Sequence, residues 1–306
     1  MKIQTHIHNL ANYTVNVIFW LCMIVVLWFM LQIVVFATFR IPSRSMEPEL
    51  KISDHVLVLK PIIGPRLFNI YASIRNEQTE IYRIPGFRKI KRNDVLVFNY
   101  PYPKNRDKIE MHILKYYIKR CIGLPGDTLF ILNGFFHVMG IQTNLGNIES
   151  QKKIEAIKRP EDKVFLSFPF DSIIGWNIKD FGPFYIPGKG DSIILNRTNF
   201  QLYKNLIEWE QQEILQYKNN VFLLGDKQIQ SYLFRKNYYF MAGDNGLDSQ
   251  DSRYWGLVPE EYIVGKAWLI WKSYDPFTGK FRCIIGKTKS TNFPNEKYKK
   301  RRSNTL

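Results

Sequence analysis

The sequence predicts a mostly β protein, in which an antiparallel sheet domain follows one N-terminal transmembrane helix. Three observations support this: an uncharged apolar run near the N-terminus, short β-branched segments bounded by turn residues, and no ten-residue helical pattern between those segments. Without such helices, an antiparallel sheet is favoured over a βαβ architecture. The 306 residues, 45% of them hydrophobic and 15% aromatic, argue against disorder and are enough for a substantial core.

The apolar run predicts a membrane anchor at residues 15–39, after a flank at residues 1–14. No Asp, Glu, Lys or Arg occurs between Ile3 and Phe39. As a helix, residues 15–39 would extend for about 37 Å, which exceeds the roughly 30 Å hydrocarbon core of a bilayer. A cleavable leader has a shorter apolar region and ends in small residues, unlike Phe36–Arg40.

Short strands are predicted in residues 40–140, the first part of the core domain. His55–Leu59 and Asp94–Phe98 are apolar and β-branched, and turn residues bound both segments. Thr128–Leu132 and Phe135–Val138 flank Asn133-Gly134, which predicts a hairpin with a type I′ turn.

Residues 141–237 are predicted to form a second, small β-rich lobe, and residues 238–286 the rest of the core. One helix is expected near Asn199–Lys218, whereas Ser150–Lys163 is polar enough to be a helix or a loop. Residues 287–306 form a basic tail, for which a solvated disordered segment is favoured over contact with anionic lipid.

The net charge of +16 predicts an anionic partner surface, either phospholipid headgroups or nucleic acid. No RNP-like or zinc-ligand pattern supports nucleic acid, so we expect membrane lipid and no nucleic acid. Three cysteines exclude a disulfide framework. Cys22 lies in the apolar run, and whether Cys121 and Cys283 meet is left open.

The chemistry is predicted to centre on Ser45, which lies just beyond the anchor between Pro42 and Pro48. Proline stiffens the backbone and keeps it out of helix, which suits a presented nucleophile. Serine needs a base, and none of the five histidines lies in a recognisable triad pattern. Lys119, flanked by apolar and aromatic residues, can act instead if burial lowers its pKa.

Three motifs in this order behind an anchor resemble those of the bacterial type I signal peptidases, or leader peptidases, which are serine proteases with a Ser-Lys dyad. The similarity covers roughly residues 39–60, 90–140 and 238–275. The motifs are Ser45-Met-x-Pro-x-Leu50, Lys119-Arg-x-x-Gly-x-Pro-Gly-Asp127 and Gly243-Asp-Asn-x-x-x-Ser-x-Asp-Ser-Arg-x-x-Gly256.

The resemblance implies that Ser45 forms an acyl-enzyme and that Lys119 takes its proton. The lysine pKa must then fall from about 10.4 to about 8. By the same resemblance, the Ser45 backbone N–H and the Ser43 hydroxyl would form the oxyanion hole, and Ser249 would hydrogen bond and orient the lysine.

The third motif contains Asp244, Asn245, Asp251 and Arg253, which we predict to be structural. Its carboxylates are spaced somewhat like a Ca²⁺ loop, but the sharp-turn Gly and the distal Glu are missing, so neither metal nor cofactor is expected. We expect Asp251 to pair with Arg253. Gly246-Leu247 replace the Arg-Asp often seen in the family, which leaves the ion pair of those positions open.

The resemblance implies signal peptides of exported preproteins as substrates, cut after small residues of the Ala-x-Ala type. Two shallow apolar pockets would recognise them, lined by Phe39, Ile41, Met46, Leu50, Val56, Tyr117 and Ile118. Two positions depart from the family pattern: Glu49 replaces a Thr, and Ser53 replaces a Gly.

We therefore expect a single-pass endopeptidase of a bacterial inner membrane, with its catalytic domain on the outer side and apolar residues around Phe39 and Trp255 contacting lipid. The charges flanking the anchor favour the opposite orientation, but this signal is weak before a large domain. Two alternatives remain: a self-cleaving Ser-Lys protease of the SOS-repressor type, whose members are soluble, and an inactive membrane-anchored β-rich protein that binds anionic lipid or another partner.

Overall fold

The computed structural model describes residues 2–75, 79–158 and 166–275, together with the short stretches 280–282 and 286–287. The helices are α1 (Lys2–Val34), α2 (Ile70–Ile74), α3 (Ile148–Glu155), α4 (Arg197–Gln211) and α5 (Ser252–Trp255). The strands are β1 (Phe36–Arg40), β2 (His55–Leu59), β3 (Arg66–Leu67), β4 (Tyr82–Arg83), β5 (Val95–Asn99), β6 (Tyr116–Gly123), β7 (Thr128–Leu132), β8 (Phe135–Val138), β9 (Phe181–Tyr185), β10 (Ser192–Ile194), β11 (Leu215–Lys218), β12 (Val221–Leu224), β13 (Lys227–Ile229), β14 (Ser231–Leu233), β15 (Tyr238–Ala242), β16 (Val258–Pro259), β17 (Ile263–Asp275), β18 (Lys280–Arg282) and β19 (Gly286–Lys287).

Helix α1 contains the apolar run, and its stretch Ala11–Gln32 is long and apolar enough to cross a membrane, with a mean hydropathy of 2.4. None of that stretch is buried against the rest of the protein. The helix ends at Val34, five residues before the predicted end of the anchor. Residues 36–40 instead form β1, which pairs with β2 from Phe36 opposite Leu59 to Arg40 opposite His55. Strand pairing thus overrides the uniform hydrophobicity that suggested continuous helix.

The main sheet is antiparallel and nine-stranded, which confirms the predicted mostly β fold. Its main order is β1-β2-β17-β5-β6-β15-β16, and β18 and β19 also pair with β17. Both segments predicted as single strands, at β2 and β5, are strands of this sheet. Strand β5 has a core on each face, because Leu96 and Phe98 belong to the larger buried cluster and Val95 and Val97 to the smaller one.

The predicted hairpin is present as β7 and β8, and Asn133 and Gly134 have the φ angles of 49° and 85° that a type I′ turn requires. Strand β9 adds to β7, so the second sheet includes residues on both sides of the predicted boundary at residue 140. The apolar face of the hairpin, formed by Leu129, Ile131, Phe136 and Val138, lies in the larger core.

Two helices lie in the described part of the predicted second lobe. Helix α4 occupies most of the predicted Asn199–Lys218 segment and begins at an Asn196 cap, whose side chain accepts a hydrogen bond from the Asn199 N–H. The segment Ser150–Lys163 was predicted to be a helix or a loop, and its first residues, up to Glu155, belong to helix α3. Residues 159–165, Cys283 and the tail from residue 288 lie outside the described residues.

Candidate active site

Ser45 lies in the loop that joins β1 to β2. The loop closes at its base, where the Ile41 N–H donates to the Asp54 carbonyl at 2.8 Å and the Ser53 N–H donates to the Ile41 carbonyl at 2.9 Å. Met46 and Leu50 are completely buried in the smaller core. Because these side chains hold the loop against the sheet, the Ser45 side chain is presented at a defined place, with 7% of the residue exposed.

The third motif packs directly on this loop. The Asn245 N–H donates to the Ser45 carbonyl at 3.0 Å, and Asn245 Nδ2 donates to the Arg44 carbonyl at 3.3 Å. Gly243 lies so close that a Cβ there would be 2.5 Å from the Ser45 carbonyl oxygen and 2.1 Å from Ser249 Oγ. Only glycine permits this approach without a shift of the surrounding atoms.

Lys119 lies on β6 opposite Leu96 of β5, and only 2% of it is exposed. This burial lowers the pKa of the Lys119 ammonium to about 8, because the charged form loses its hydration. The Asp251 carboxylate acts in the opposite direction and raises that pKa. The Tyr117 ring lies beside the amine, with its centroid 5.6 Å from Nζ. The value agrees with the one that catalysis by a lysine base was predicted to need.

A hydrogen bond joins Lys119 Nζ and Ser45 Oγ. A neutral amine at this position can accept the hydroxyl proton, which is what activation of a serine requires. Ser43 Oγ lies 3.2 Å from Ser45 Oγ, and Ser43 is exposed. The structure therefore brings together the three side chains that the sequence placed at the reaction centre.

Asp251 organises the motif behind the lysine. Its carboxylate accepts hydrogen bonds from Arg253 Nε at 2.8 Å and Arg253 Nη2 at 2.7 Å, which is the expected ion pair. It also accepts from the Gly243 N–H at 2.9 Å. Neither member of the pair is more than 1% exposed, and the guanidinium helps to hold the pKa of the Asp251 carboxyl below its usual range. A carboxylate with this many donors stays ionised despite its burial.

Ser249 differs from the prediction in its hydrogen bond. Its hydroxyl donates to Asp251 Oδ2 at 2.8 Å, and among the described residues Lys119 Nζ is hydrogen bonded to Ser45 alone. The ionised Asp251 carboxylate is a strong acceptor, so the Ser249 hydroxyl donates its hydrogen bond there. The Ser249 hydroxyl is therefore bonded to the carboxylate that raises the pKa of Lys119.

Sequence reasoning missed a second buried ion pair, between Arg120 and Asp244. Arg120 Nε and Nη2 donate to the two carboxylate oxygens of Asp244 at 2.7 and 2.6 Å, and both residues are 1% exposed. Glu49 lies 3.9 Å from the same guanidinium. The available signal was Arg120 itself, because a guanidinium next to a buried lysine cannot lose its charge and needs a carboxylate partner.

The lobe between the motifs also contributes a contact that the sequence did not indicate. Ser150, on α3, accepts a hydrogen bond from the Gly246 N–H at 2.6 Å. Arg253 Nη2 donates to the Gly246 carbonyl at 3.0 Å. These bonds hold the loop at Gly246-Leu247, the two positions whose ion pair the sequence left open.

The predicted substrate-pocket residues fall into two groups. Phe39, Tyr117 and Ile118 are partly exposed, whereas four of the seven are core residues that are at most 2% exposed and cannot line an open pocket in this structure. Their side chains close the smaller core beneath the nucleophile loop; they are Ile41, Met46, Leu50 and Val56. Trp255, expected at an exposed lipid-contacting surface, is 3% exposed and packs against Tyr100 and Tyr117.

Arginines occupy the carboxylates that resembled a Ca²⁺ loop. Asp244 and Asp251 bind Arg120 and Arg253, respectively. Within the described ranges, no group of three or more His, Cys, Asp or Glu side chains is arranged to hold a metal ion.

Comparison with known proteins identifies the family. The model of the family described as signal peptidase, peptidase S26, matches residues 14–272. Signal peptidase I of Buchnera aphidicola subsp. Acyrthosiphon pisum is 32% identical over 253 residues, which cover 81% of this chain and 71% of the relative. Signal peptidase I of Pseudomonas aeruginosa is 29% identical over 249 residues, which cover 78% of this chain and 66% of the relative.

A solved structure of a signal peptidase I from Enterococcus faecalis is 19% identical and covers 58% of this chain and 97% of that chain, with a TM-score of 0.29. The family-model match over most of the chain and the relative at 32% identity establish the family without this structure. The chain therefore belongs to the signal peptidase family, peptidase S26, whose members are serine endopeptidases.

Proposed function

We propose that this chain is a membrane-anchored endopeptidase that removes N-terminal signal peptides from exported preproteins with Ser45 as nucleophile and Lys119 as base. Membership of the family supports signal-peptide removal by a serine protease. The single observation that carries the dyad is the hydrogen bond between Ser45 Oγ and the buried Lys119 Nζ.

Acylation begins with the neutral Lys119 amine, which accepts the Ser45 hydroxyl proton as Oγ attacks the scissile carbonyl carbon. The Lys119 ammonium then gives this proton to the leaving nitrogen, and the C–N bond breaks. The mature protein leaves with a new amino terminus, and the signal peptide remains as an ester on Ser45. A base with a pKa near the working pH serves both proton transfers.

Deacylation repeats these proton transfers with water as the nucleophile. Lys119 accepts a proton from a water molecule as its oxygen attacks the ester carbonyl, and the proton passes to Ser45 Oγ when the C–O bond breaks. The signal peptide leaves with a carboxylate terminus, and both side chains return to their starting states.

The oxyanion formed in both halves needs preorganised donors. The Ser43 hydroxyl is exposed and lies 3.2 Å from Ser45 Oγ, so it is within reach of a carbonyl bound at the nucleophile. The Ser45 backbone N–H makes no hydrogen bond to another described residue, which leaves it available as the second donor.

Helix α1 supports single-pass anchoring, and its stretch Ala11–Gln32 is long enough to span a bilayer. The catalytic domain then stands on the outer side of a bacterial inner membrane, where exported preproteins emerge. Cleavage follows small residues of the Ala-x-Ala type. The partly exposed Phe39, Tyr117 and Ile118 are the predicted pocket residues that remain able to contact them.

The test is cleavage of a model preprotein with an Ala-x-Ala exit by the purified full-length protein in detergent. Ser45→Ala and Lys119→Ala are each expected to lower kcat/KM by at least about three orders of magnitude. The matched controls are Ser192→Ala and Lys115→Ala, which change an exposed serine and an exposed lysine and should leave kcat/KM unchanged. Wild-type cleavage rates in the two dyad variants would refute the proposal and favour the inactive, lipid-binding alternative.

A further inference from the structure

A segment between β2 and β5 folds back on itself and forms a cap at one end of the main sheet. We call residues 61–75 and 79–88 the cap segment. Its two ends meet where the Phe87 N–H donates to the Pro61 carbonyl at 3.0 Å and the Arg88 N–H donates to the Ile62 carbonyl at 3.1 Å. The cap segment is thus a loop whose two ends are hydrogen bonded to each other, and none of its residues takes part in the proposed catalytic steps.

The base of the cap segment touches the end of the anchor helix. Lys60, the residue before it, donates its backbone N–H to the Val35 carbonyl at 2.9 Å and its Nζ to the Gln32 carbonyl at 2.8 Å. Strand register gives the same location, because Leu59 pairs with Phe36 on one side and with Lys266 on the other. The cap segment therefore leaves the sheet at the end where α1 joins it.

Two partly buried arginines clamp the cap segment to that end of the sheet. Arg66 Nη1 donates to the Glu261 and Tyr262 carbonyls at 3.0 and 3.1 Å. Arg83 Nη2 donates to the Glu260 and Ile263 carbonyls at 2.8 and 2.6 Å. Because four backbone acceptors hold it, the cap segment has a defined position relative to the anchor.

The outer face of the cap segment is apolar and aromatic. Its inner side buries Ile63 and Ala72. Several large apolar side chains of the cap segment are exposed, and we call four of them its outer face: Ile70, Tyr71, Tyr82 and Phe87, of which Tyr71 and Phe87 are 78% and 88% exposed. Soluble surfaces rarely group large apolar side chains in this way, whereas aromatic residues are enriched at membrane interfaces.

The charge of this stretch suits an anionic surface. Between Lys60 and Lys89 the sequence has six Lys or Arg residues and two Glu residues. Arg66 and Arg83 form the clamp, and the other four basic residues include Arg75 and Lys89, which are both exposed. Basic residues beside a transmembrane helix are attracted to anionic headgroups, and aromatic neighbours add apolar burial.

We propose that the cap segment is a second membrane contact, whose outer face lies in the headgroup layer of an anionic bilayer beside α1. This inference rests on the anchoring part of the proposed function. It adds that the catalytic domain is held against the lipid at two points, so that its sheet does not rotate freely about the end of the anchor.

The test uses the full-length protein in nanodiscs of phosphatidylglycerol and phosphatidylcholine, with an environment-sensitive fluorophore on single cysteines. Cys22 and Cys283 are replaced by Ser where they are not the labelled site, and the buried Cys121 is kept. The probes are placed at Tyr71→Cys and Phe87→Cys. The control is Ile173→Cys, an apolar position that is 94% exposed elsewhere. Cleavage activity of each labelled protein verifies its fold.

Probes at positions 71 and 87 are expected to be quenched by spin-labelled lipid and protected from aqueous iodide, and the probe at position 173 to show the reverse. Replacing phosphatidylglycerol by phosphatidylcholine, or combining Arg75→Gln with Lys89→Gln, should lower the lipid quenching by at least about twofold. A label on the native Cys22 reports α1 itself. If lipid quenches the Cys22 probe but not the probes at positions 71 and 87, the anchoring of α1 stands and the cap proposal is wrong. If lipid does not quench the Cys22 probe either, the anchoring part of the proposed function is wrong.

Discussion

The side chains of Ser45 and Lys119 meet across 74 positions of sequence, and the lysine is buried where its charged form is unfavourable. The contact depends on three segments at once. Strand β6 supplies the lysine and the loop after β1 supplies the serine. The third motif contacts the loop through Gly243 and Asn245 and the strand through the ion pair of Asp244 with Arg120. The predictions below follow from this arrangement.

Replacing Lys119 by Met should abolish cleavage and stabilise the fold. Burial lowers the folded-state pKa of Lys119 from 10.5 to about 8, so the cost of the buried charge is fully present below about pH 8 and fades as the pH rises towards 10.5. Near pH 7 the variant should gain about 3 kcal/mol in the free energy of unfolding. Denaturant unfolding in detergent at about pH 7 and about pH 10 measures the gain, which should shrink at the higher pH. A gain that does not change with pH would contradict this origin.

Asp251→Asn should destabilise the fold and shift the pH dependence of cleavage. The change leaves the fully buried Arg253 without its ionic partner, at a cost of about 3 to 5 kcal/mol. The Asp251 charge also raises the pKa of Lys119, so the folded variant should reach full activity at a lower pH than wild type. The matched control is Asp248→Asn, which removes an exposed carboxylate with a weaker influence on the same lysine. Equal stability and equal pH midpoints in both variants would argue against the role given to Asp251.

Ser43→Ala should lower kcat by about two to three orders of magnitude with little change in KM, because an oxyanion donor acts mainly in the transition state. Ser43→Thr keeps the hydroxyl and should retain most of the activity. Steady-state cleavage kinetics separate the two parameters. A wild-type kcat in Ser43→Ala would show that the Ser43 hydroxyl is not an oxyanion donor.

Gly243→Ala should damage both stability and catalysis. The added Cβ would lie 2.1 Å from Ser249 Oγ and 2.5 Å from the Ser45 carbonyl, so the nucleophile loop must move away from the third motif. Overpacking of this kind costs about 1 to 3 kcal/mol. The control is Gly190→Ala, which meets no atom within 4 Å and adds only the strain of its φ of +94°. Thermal unfolding and kcat are measured for both variants. Gly243→Ala should lose kcat, and Gly190→Ala should keep it.

The sequence was sufficient to predict the features that depend on local pattern. The β7–β8 hairpin follows from Asn133-Gly134, and the ion pair of Asp251 with Arg253 joins residues two positions apart. The low pKa of Lys119 was also predictable, because its apolar neighbours indicate burial, which lowers the pKa, and because a base must be neutral to accept a proton. The antiparallel fold followed from short strands without intervening helices.

Features set by tertiary contacts were not predictable in the same way. The end of α1 depends on the pairing of β1 with β2, which an apolar run cannot signal. Apolar residues around Ser45 suit a substrate pocket or a core equally well, and packing on the smaller core placed Ile41 and Met46 in the latter. The bond from Gly246 to Ser150 joins residues 96 positions apart, with no local pattern in either segment.

The central claim is that a buried, neutral Lys119 activates Ser45, and the pH dependence of kcat/KM for model preprotein cleavage tests it most directly. We expect kcat/KM to rise about tenfold per pH unit below the midpoint and to level off above a midpoint near the lysine pKa of about 8. The low residual activity of Lys119→Ala should lack this rise. A wild-type profile that is flat from about pH 6 to about pH 9, or that falls through this range, would contradict a lysine base.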